Sequence, residues 1–195
     1  MQRTIHTKKN PYKEQRDTAM DEYSLNTLGQ HLQSLRQARG WSLSYLANAA
    51  GIAKSNLSRL EQGNGNPTLD TLWRLAAQLN VPFGTLVAPI TMPLGEDGVQ
   101  VQLIDQGKDS PQVDAYWMRC APHTLRHAEA HTPGTQETLT LISGWLEAGP
   151  EGAATALAPG ESVTFPADEP HLYRTHDGEA TMLLTVTYGT QRNTP

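Results

Sequence analysis

Apolar residues follow a helical period in the first part of the chain and an alternating period in the second. Between Leu28 and Val87, leucine and alanine recur three or four positions apart, which predicts short amphipathic helices. From Val99 onward, apolar and polar residues alternate in short runs separated by Pro and Gly, which predicts β-strands. The change of period predicts an α+β protein of two domains. Its expected parts are an N-terminal tail (1–27), a helical domain (28–88), a linker (89–98) and a β domain (99–190).

Two helical patterns flank a glycine in the segment from Ser42 to Gly63. Ser42 is the predicted N-cap of the first helix, and Gly51 is the predicted left-handed residue at its end. The second helix is expected from about Lys54 to Gln62, with Leu57 and Leu60 on its inner face. Its outer face is short, polar and basic at Arg59. Such a face fits a DNA major groove, and it also fits an ordinary solvated helix surface.

A wider set of motifs surrounds these helices. The set comprises Leu32-x-x-Leu35-Arg36-x-x-Arg39-Gly40, the two helices, and Gly63-Asn64-Gly65-Asn66-Pro67-Thr68-Leu69 followed by Leu72, Leu75 and Leu79. From Leu28 to Val87 it resembles the phage-repressor (Cro-like, XRE) helix-turn-helix domain. The resemblance implies a five-helix, lambda-repressor-like fold that binds double-stranded DNA. The expected DNA contacts are Ser44, Lys54, Ser55, Asn56, Ser58, Arg59, Gln62 and Asn64.

Three further expectations concern this domain. The family places Ser or Thr before its recognition helix, whereas this chain has Ala53, so the cap is either missing or supplied by Ser55. Arg36 falls where the family pairs an arginine with the recognition-helix glutamate, here Glu61, and we expect this ion pair to brace the first and third helices. Thr68 is expected to cap the fourth helix, and Trp73 to pack against the second domain or a partner subunit.

Five strands are predicted in the second half: Val99–Leu103, Asp114–Cys120, Glu137–Ile142, Glu161–Phe165 and Thr181–Tyr188. Two segments, Glu129 to Gly144 and Pro159 to His171, resemble the paired motifs of the cupin family. The resemblance implies an all-β jelly-roll barrel. It also implies that one divalent metal (Zn, Fe, Mn or Ni) is held by His131, Glu137 and His171, with Glu129 at the position of a further family histidine. An alternative is that these side chains bind an organic ligand or the barrel wall.

Other side chains on these strands are candidates for an effector pocket: Trp117, Arg119, Trp145 and Tyr173. Trp117 and Arg119 lie two positions apart and therefore share one face of a strand. If that face points inward, the arginine requires an anionic partner, which favours a carboxylate ligand such as an amino acid. If that face points outward, the arginine gives no indication of the ligand.

Charge separates the two halves. Residues 1–87 contain ten Lys and Arg against six Asp and Glu, a net charge of +4, whereas residues 88–195 carry −9. The basic half can neutralise phosphates, and the acidic half would be repelled by them. Lys8, Lys9 and Lys13 form a further basic cluster in the predicted tail. One cysteine, no apolar run long enough to span a membrane and no apolar N-terminal segment predict a cytoplasmic protein.

Three functions are compatible with this sequence. The first is a homodimeric transcriptional regulator that binds a pseudopalindromic operator and senses a small molecule or metal through its barrel. The second is a cupin-type non-haem metal oxygenase or epoxidase that carries a helix-turn-helix domain. The third is a module whose helical domain binds another protein. We favour the first, in which the chain is not an enzyme, because the second helix keeps a DNA-compatible face and the front half keeps its positive charge.

Overall fold

The computed structural model describes residues 22–91, 93–96 and 98–189, so Lys8, Lys9 and Lys13 lie outside the described residues. Within these ranges the chain forms five helices followed by ten strands. The helices are α1 (Glu22–Ala38), α2 (Leu43–Ala49), α3 (Lys54–Glu61), α4 (Leu69–Gln78) and α5 (Phe83–Val87). None of these described helices is long and apolar enough to cross a bilayer.

Local signals fix the helix ends in the first domain. The Ser42 hydroxyl accepts a hydrogen bond from the Tyr45 amide (3.1 Å), and the Thr68 hydroxyl accepts one from the Thr71 amide (3.0 Å). Each satisfies an amide in the first turn of a helix that would otherwise lack a partner. Gly51 has a φ of 64°, a conformation that glycine adopts without strain. The predictions for Ser42, Thr68 and Gly51 are confirmed.

Helix α1 begins at Glu22, six residues before the expected start at Leu28. Tertiary contacts explain the extra turns, since Ser24 is buried and Leu25 packs against the core. Asn26 lies so close to Gly63 that any side chain at position 63 would collide with it. The predicted linker also differs from expectation, because residues 94–96 form a strand paired with the first long strand of the barrel.

The second domain consists of two antiparallel sheets. Its strands are β1 (Leu94–Glu96), β2 (Val99–Gln106), β3 (Val113–Cys120), β4 (Leu125–Ala128), β5 (Gln136–Ser143), β6 (Leu146–Pro150), β7 (Thr155–Leu157), β8 (Ser162–Pro166), β9 (His171–Arg174) and β10 (Ala180–Thr187). One sheet has the order β1-β2-β3-β10-β5-β8, and the other has the order β4-β9-β6-β7. Residues from both sheets share one hydrophobic core, in agreement with the predicted barrel.

The five predicted strands correspond to β2, β3, β5, β8 and β10. None of the strands of the four-stranded sheet was predicted from the sequence. Its strands are only three to five residues long. In β9, His171, Leu172 and Tyr173 are buried in succession, so the strand has no alternating pattern to recognise. Short strands of this kind depend on their neighbours for stability, and the hydrophobic period alone does not identify them.

A buried carboxylate joins the two domains. Asp114 Oδ2, on β3, accepts hydrogen bonds from the Gly84 amide (3.0 Å) and from the Tyr188 hydroxyl (2.8 Å). The same hydroxyl accepts a bond from the Phe83 amide (3.1 Å). Asp114 and Tyr188 therefore satisfy the first two amides of α5, which fixes the helical domain on the barrel.

Candidate functional site

Helix α3 turns a polar surface away from the core of its domain. Leu57, Leu60 and Glu61 are buried. Of the predicted DNA contacts, those on α3 or just after it are exposed except Ser58, which is half-buried: Lys54, Ser55, Asn56, Arg59, Gln62 and Asn64. Ser44 lies on α2 and is also half-buried. The accessible surface is thus the one that the helical period predicted.

The N-terminus of α3 has an unusual cap. Ala53 occupies the N-cap position, and the described residues contribute no side-chain hydrogen bond there, Ser55 included. The Asn56 amide donates to the Ala53 carbonyl oxygen (3.0 Å), whereas no described side chain caps the amides before it. Because a helix N-terminus attracts anions, a DNA phosphate is a chemically suitable partner.

Arg36 and Glu61 form the expected ion pair beneath this surface. Arg36 Nε contacts Glu61 Oε1 at 2.6 Å, and Nη2 contacts Oε2 at 2.8 Å, in a bidentate arrangement. Arg36 Nη1 also donates to the Trp41 carbonyl oxygen (2.7 Å). The hydrogen bond to Glu61 raises the pKa of Arg36 against the opposing effect of burial. The pair is buried and fixes α1 against α3, so its role is structural.

Three side chains converge inside the barrel. The candidate ligand atoms of His131, Glu137 and His171 all lie within 4.8 Å of one another. Glu137 Oε1 is 3.0 Å from His131 Nε2 and 3.7 Å from His171 Nε2. The Tyr173 hydroxyl donates to the other carboxylate oxygen, Oε2. One carboxylate oxygen is thus oriented by a tyrosine while the other faces two imidazoles.

The donor set of these three residues fits a divalent metal. His171 Nδ1 donates to the Glu169 carbonyl oxygen (2.9 Å), so its Nε2 presents a lone pair to the interior. That buried Nε2 has no hydrogen-bond partner among the described residues, as expected of an atom that binds an ion. Two imidazoles and one carboxylate can hold Zn, Fe, Mn or Ni.

The pKa shifts of Glu137 and His171 favour the same chemistry. Burial alone would raise the pKa of Glu137, but the hydrogen bond with His131 and the proximity of His171 lower it below 4.5. Burial lowers the pKa of His171 below 6.5, although the Glu137 carboxylate opposes the change. An ionised carboxylate and a neutral imidazole are the forms that bind metals.

The inner cavity beside the trio measures about 40 Å³. Its polar lining comprises Arg126, His131, Glu137 and Tyr173, and its barrel walls are mostly apolar. Leu69, Trp73 and Phe83, from α4 and α5, close it from the side of the helical domain. A cavity of this size holds about one or two water molecules, whereas small-molecule pockets measure roughly 300–1,000 Å³. In this arrangement the cavity is therefore too small for a metabolite.

Comparison with known proteins identifies both domains. The Helix-turn-helix family model (HTH_3) matches residues 32–86, and the Cupin domain model (Cupin_2) matches residues 116–187. The HTH-type transcriptional regulator SutR of Escherichia coli (strain K12) is 36% identical over 157 residues, which are 77% of this chain and 88% of SutR. The chain belongs to the family of HTH-type transcriptional regulators. It is a DNA-binding regulator that carries a cupin domain.

Solved structures support the two-domain fold of this regulator. An HTH_3 family transcriptional regulator from Vibrio cholerae has a TM-score of 0.78 at 22% identity and aligns over 87% of this chain and 99% of its own. Hydroxypropylphosphonic acid epoxidase from S. wedmorenis, an enzyme, aligns over 88% of this chain and 100% of its own, with a TM-score of 0.42 at 18% identity. A TM-score this low carries no argument about activity.

One of the four expected metal ligands lies elsewhere in this regulator. Glu129 is exposed at the end of β4 and forms an ion pair with Arg74 of α4, with 3.5 Å between Glu129 Oε2 and Arg74 Nε. Glu129 was expected among the ligands because it stands at a family histidine position. β4 ends at Ala128, so Glu129 lies just beyond the strand, where its side chain is exposed.

Three of the four residues expected in the effector pocket point away from the cavity. Trp117 is 39% exposed, and Arg119 pairs at the surface with Glu179. Trp145 stacks on His176, with ring centroids 3.9 Å apart. The inward face of β3 carries Tyr116 and Met118 instead, so the inference of a carboxylate ligand from Arg119 does not hold. Tyr173 does line the cavity.

The arginine inside the barrel is Arg126, which the sequence analysis missed. It lies on β4 directly opposite Tyr173 of β9, and it is 6% exposed. The signal that could have revealed it is the alternation of Arg126 and Ala128 (buried) with Leu125 and His127 (exposed). Four residues are too few for that alternation to be distinguished from a loop.

Proposed function

We propose that this regulator binds a pseudopalindromic operator as a homodimer and that its barrel senses a small molecule beside a bound divalent metal. The observation that carries the proposal is the closure of the barrel by α4 and α5 of the DNA-binding domain. Because Trp73 and Leu69 close a cavity that is too small for a metabolite, an occupant of the barrel has to move these helices. The binding of a small molecule in the barrel is then linked to the position of α3.

An entrance for such an occupant lies beside Trp73. An open groove of about 1,140 Å³ runs between α4, the segment 108–112 and the segment 129–133. Trp73 and His131 line both this groove and the inner cavity. The two side chains therefore lie between the groove and the inner cavity, and movement of Trp73 would connect the two spaces.

DNA would be read by α3. Its short polar side chains allow the helix to approach the major groove, with Arg59 and Asn56 contacting base edges and Lys54 contacting phosphate. In a homodimer the two α3 helices would need a separation of about 34 Å to enter successive major grooves. The −9 charge of residues 88–195 would keep the barrel away from the phosphates.

The barrel supplies a candidate surface for the homodimer. Ile104, Val113 and Trp117, on β2 and β3, expose large apolar side chains. Exposed apolar side chains grouped on one sheet are typical of protein–protein contacts. Light scattering after gel filtration should give a dimer for the wild type and a smaller mass for Trp117→Glu. A wild type that elutes as a monomer at micromolar concentration contradicts this part of the proposal.

Selection of bound fragments from a genomic or random DNA pool tests the central proposal. We expect recovered sequences with two half-sites, and binding that weakens steeply with salt, with a slope of about −0.9 per phosphate neutralised. A protein that ignores duplex DNA at low ionic strength, with and without added metal, contradicts the proposal. Weak dependence on salt would instead favour a helical domain that binds a protein.

One observation supports the alternative function, a cupin-type oxygenase. The trio of two histidines and one carboxylate resembles the ligand set of non-haem iron oxygenases. As an enzyme the chain would consume oxygen when loaded with Fe(II) and supplied with an organic substrate. Oxygen uptake that exceeds that of a His131→Ala variant would favour this second candidate.

A further inference from the structure

His131 differs from the other two candidate metal ligands in how its side chain is held. Glu137 lies on β5 and His171 lies on β9, so the two sheets position both of them. His131 lies outside the described strands, between β4 and β5, where its backbone amide donates to the Ala167 carbonyl oxygen (2.8 Å). The direction of its ring is therefore not set by the alternation of a strand.

The two imidazoles also differ at the nitrogen that faces away from the metal position. A metal-bound histidine ordinarily donates its other ring N–H to an oxygen, and that hydrogen bond orients the ring. Nδ1 of His171 has such a partner, the Glu169 carbonyl oxygen at 2.9 Å. Nδ1 of His131 is buried and has no hydrogen-bond partner among the described residues. Another contact has to orient the ring of His131.

Trp73 of α4 supplies that contact. Its indole stacks on the His131 ring, with centroids 3.7 Å apart. The indole is itself held within the helical domain, because it also stacks on Phe83 of α5. A flat stack at this distance restricts the plane of the imidazole and leaves its edge nitrogens, including Nε2 beside Glu137, available to an ion.

We propose that Trp73 positions His131 for metal binding, so that the metal centre of the barrel is complete only while the helical domain is docked on it. The inference rests on the proposed function, in which the barrel holds a divalent metal. An imidazole bound to a divalent ion carries part of its positive charge, and the face of an indole attracts a cation. The stack is therefore stronger when the metal is present.

The coupling between the metal and the docking of α4 is reciprocal. Because the stack stabilises the metal, the metal stabilises the contact of α4 with the barrel by an equal free energy. A small molecule that displaces Trp73 would consequently weaken metal binding, and bound metal would oppose the entry of that molecule. The metal thus favours the closed arrangement of the two domains.

Substitutions that keep or remove the ring at position 73 test this role. The dissociation constant of Zn²⁺ is measured on the full chain by competition with a chromogenic chelator. Trp73→Phe retains an aromatic face, whereas Trp73→Leu fills part of the same space without one. We expect Trp73→Leu to bind Zn²⁺ about 10-fold more weakly than the wild type, and Trp73→Phe to recover most of that loss. Equal affinities of the two variants would overturn the proposal, because the ring would then have no role.

Trp145 provides a matched control. It also stacks on a histidine, His176, with centroids 3.9 Å apart, and neither residue is a candidate metal ligand. Trp145→Leu should therefore bind Zn²⁺ as tightly as the wild type. A loss equal to that of Trp73→Leu would mean that Zn²⁺ affinity follows the general stability of the protein, and it would also overturn the proposal.

Hydrogen exchange in the wild type tests the reciprocal effect and does not depend on the folding of a variant. With saturating Zn²⁺, the amides of α4 should exchange severalfold more slowly than in protein treated with a chelator. In Trp73→Leu, saturating Zn²⁺ should slow the amides of β9, which carries His171, and leave those of α4 unchanged. Zn²⁺ that binds the wild type without slowing α4 contradicts the coupling.

The same measurements separate this inference from the function on which it rests. If the wild type binds Zn²⁺ and Trp73→Leu binds it equally tightly, the positioning role is wrong and the metal site remains. If the wild type binds neither Zn²⁺ nor Fe²⁺, the metal part of the proposed function fails, and this inference fails with it. Binding of duplex DNA by the same samples is a separate result, which decides whether the operator part of the proposed function stands.

Discussion

The indole of Trp73 stacks on the imidazole of His131, with ring centroids 3.7 Å apart and planes 14° apart. Trp73 belongs to α4 of the DNA-binding domain, and His131 is a candidate metal ligand in the barrel. Trp73 also stacks on Phe83, at 4.5 Å. The expectation that Trp73 packs against the second domain is thereby confirmed. A residue of the DNA-binding domain thus covers the candidate metal centre directly.

Replacement of Trp73 should open the barrel. In Trp73→Ala the groove and the inner cavity would join, because the indole lines both. We expect diethylpyrocarbonate to modify His131 severalfold faster in this variant than in the wild type, as measured by peptide mass spectrometry. Trp145→Ala removes a similar stack on the surface residue His176 and should leave His131 protected. Equal protection of His131 in Trp73→Ala and wild type would contradict the role of Trp73 as a barrier.

Loss of Glu61 should destabilise the first domain strongly. Glu61→Ala leaves the buried guanidinium of Arg36 without its bidentate partner, and we expect a loss of about 3–5 kcal/mol in the free energy of unfolding. Urea unfolding followed by circular dichroism provides the measurement. Arg119→Ala, which removes the surface pair with Glu179, should cost about 0–1 kcal/mol. Similar losses in the two variants would mean that the buried pair has no special structural role.

Arg59 should determine which DNA sequences are selected. Its side chain is exposed on α3, and the guanidinium Nη2 donates to the Asn64 carbonyl oxygen at 3.1 Å. Arg59→Ala should bind the selected operator about 10–100-fold more weakly, equivalent to about 1–3 kcal/mol for a bidentate base contact. Its unfolding curve should match that of the wild type. Arg174→Ala removes an equal charge from the barrel and should retain full affinity, so fluorescence anisotropy with both variants separates base reading from net charge.

The metal content should depend on His131 and not on Glu129. Inductively coupled plasma mass spectrometry of protein purified without added metal should give about one divalent ion per chain, because the three side chains suit a single ion. We expect His131→Ala to lose most of this metal and Glu129→Ala to retain it. Stoichiometric metal that survives the His131 substitution would refute the ligand assignment.

Cys120 should be inert in the folded protein. Burial raises the pKa of its thiol from 9.0 to about 12, although the nearby charge of Arg126 opposes the change. At pH 8.5 the folded protein would contain about a thousandfold less thiolate than an unfolded chain, and only the thiolate reacts with iodoacetamide. Mass spectrometry should therefore find the thiol unmodified in buffer and alkylated in urea. Rapid alkylation in buffer would indicate that the barrel opens without a ligand.

The sequence by itself determined the features that depend only on residues close together in the chain. Helical spacing of Leu57 and Leu60 was enough to orient α3, since a helix has one fixed period. Ser42, Thr68 and Gly51 fixed helix ends through local hydrogen bonds and backbone conformation. Motif resemblance identified His131, Glu137 and His171, which the structure brings together.

Only the tertiary structure decided which faces of the strands point inward and how the two domains meet. In β3, Tyr116 and Met118 lie on one face, and Val113 and Trp117 lie on the other. Because both faces carry large apolar side chains, the alternation along the strand does not reveal which face is buried. Arg126 and Asp70, which form an ion pair, are 56 residues apart in the chain. Their contact, and that of Trp73 with His131, depends on how whole domains pack, because no local pattern encodes contacts across such distances.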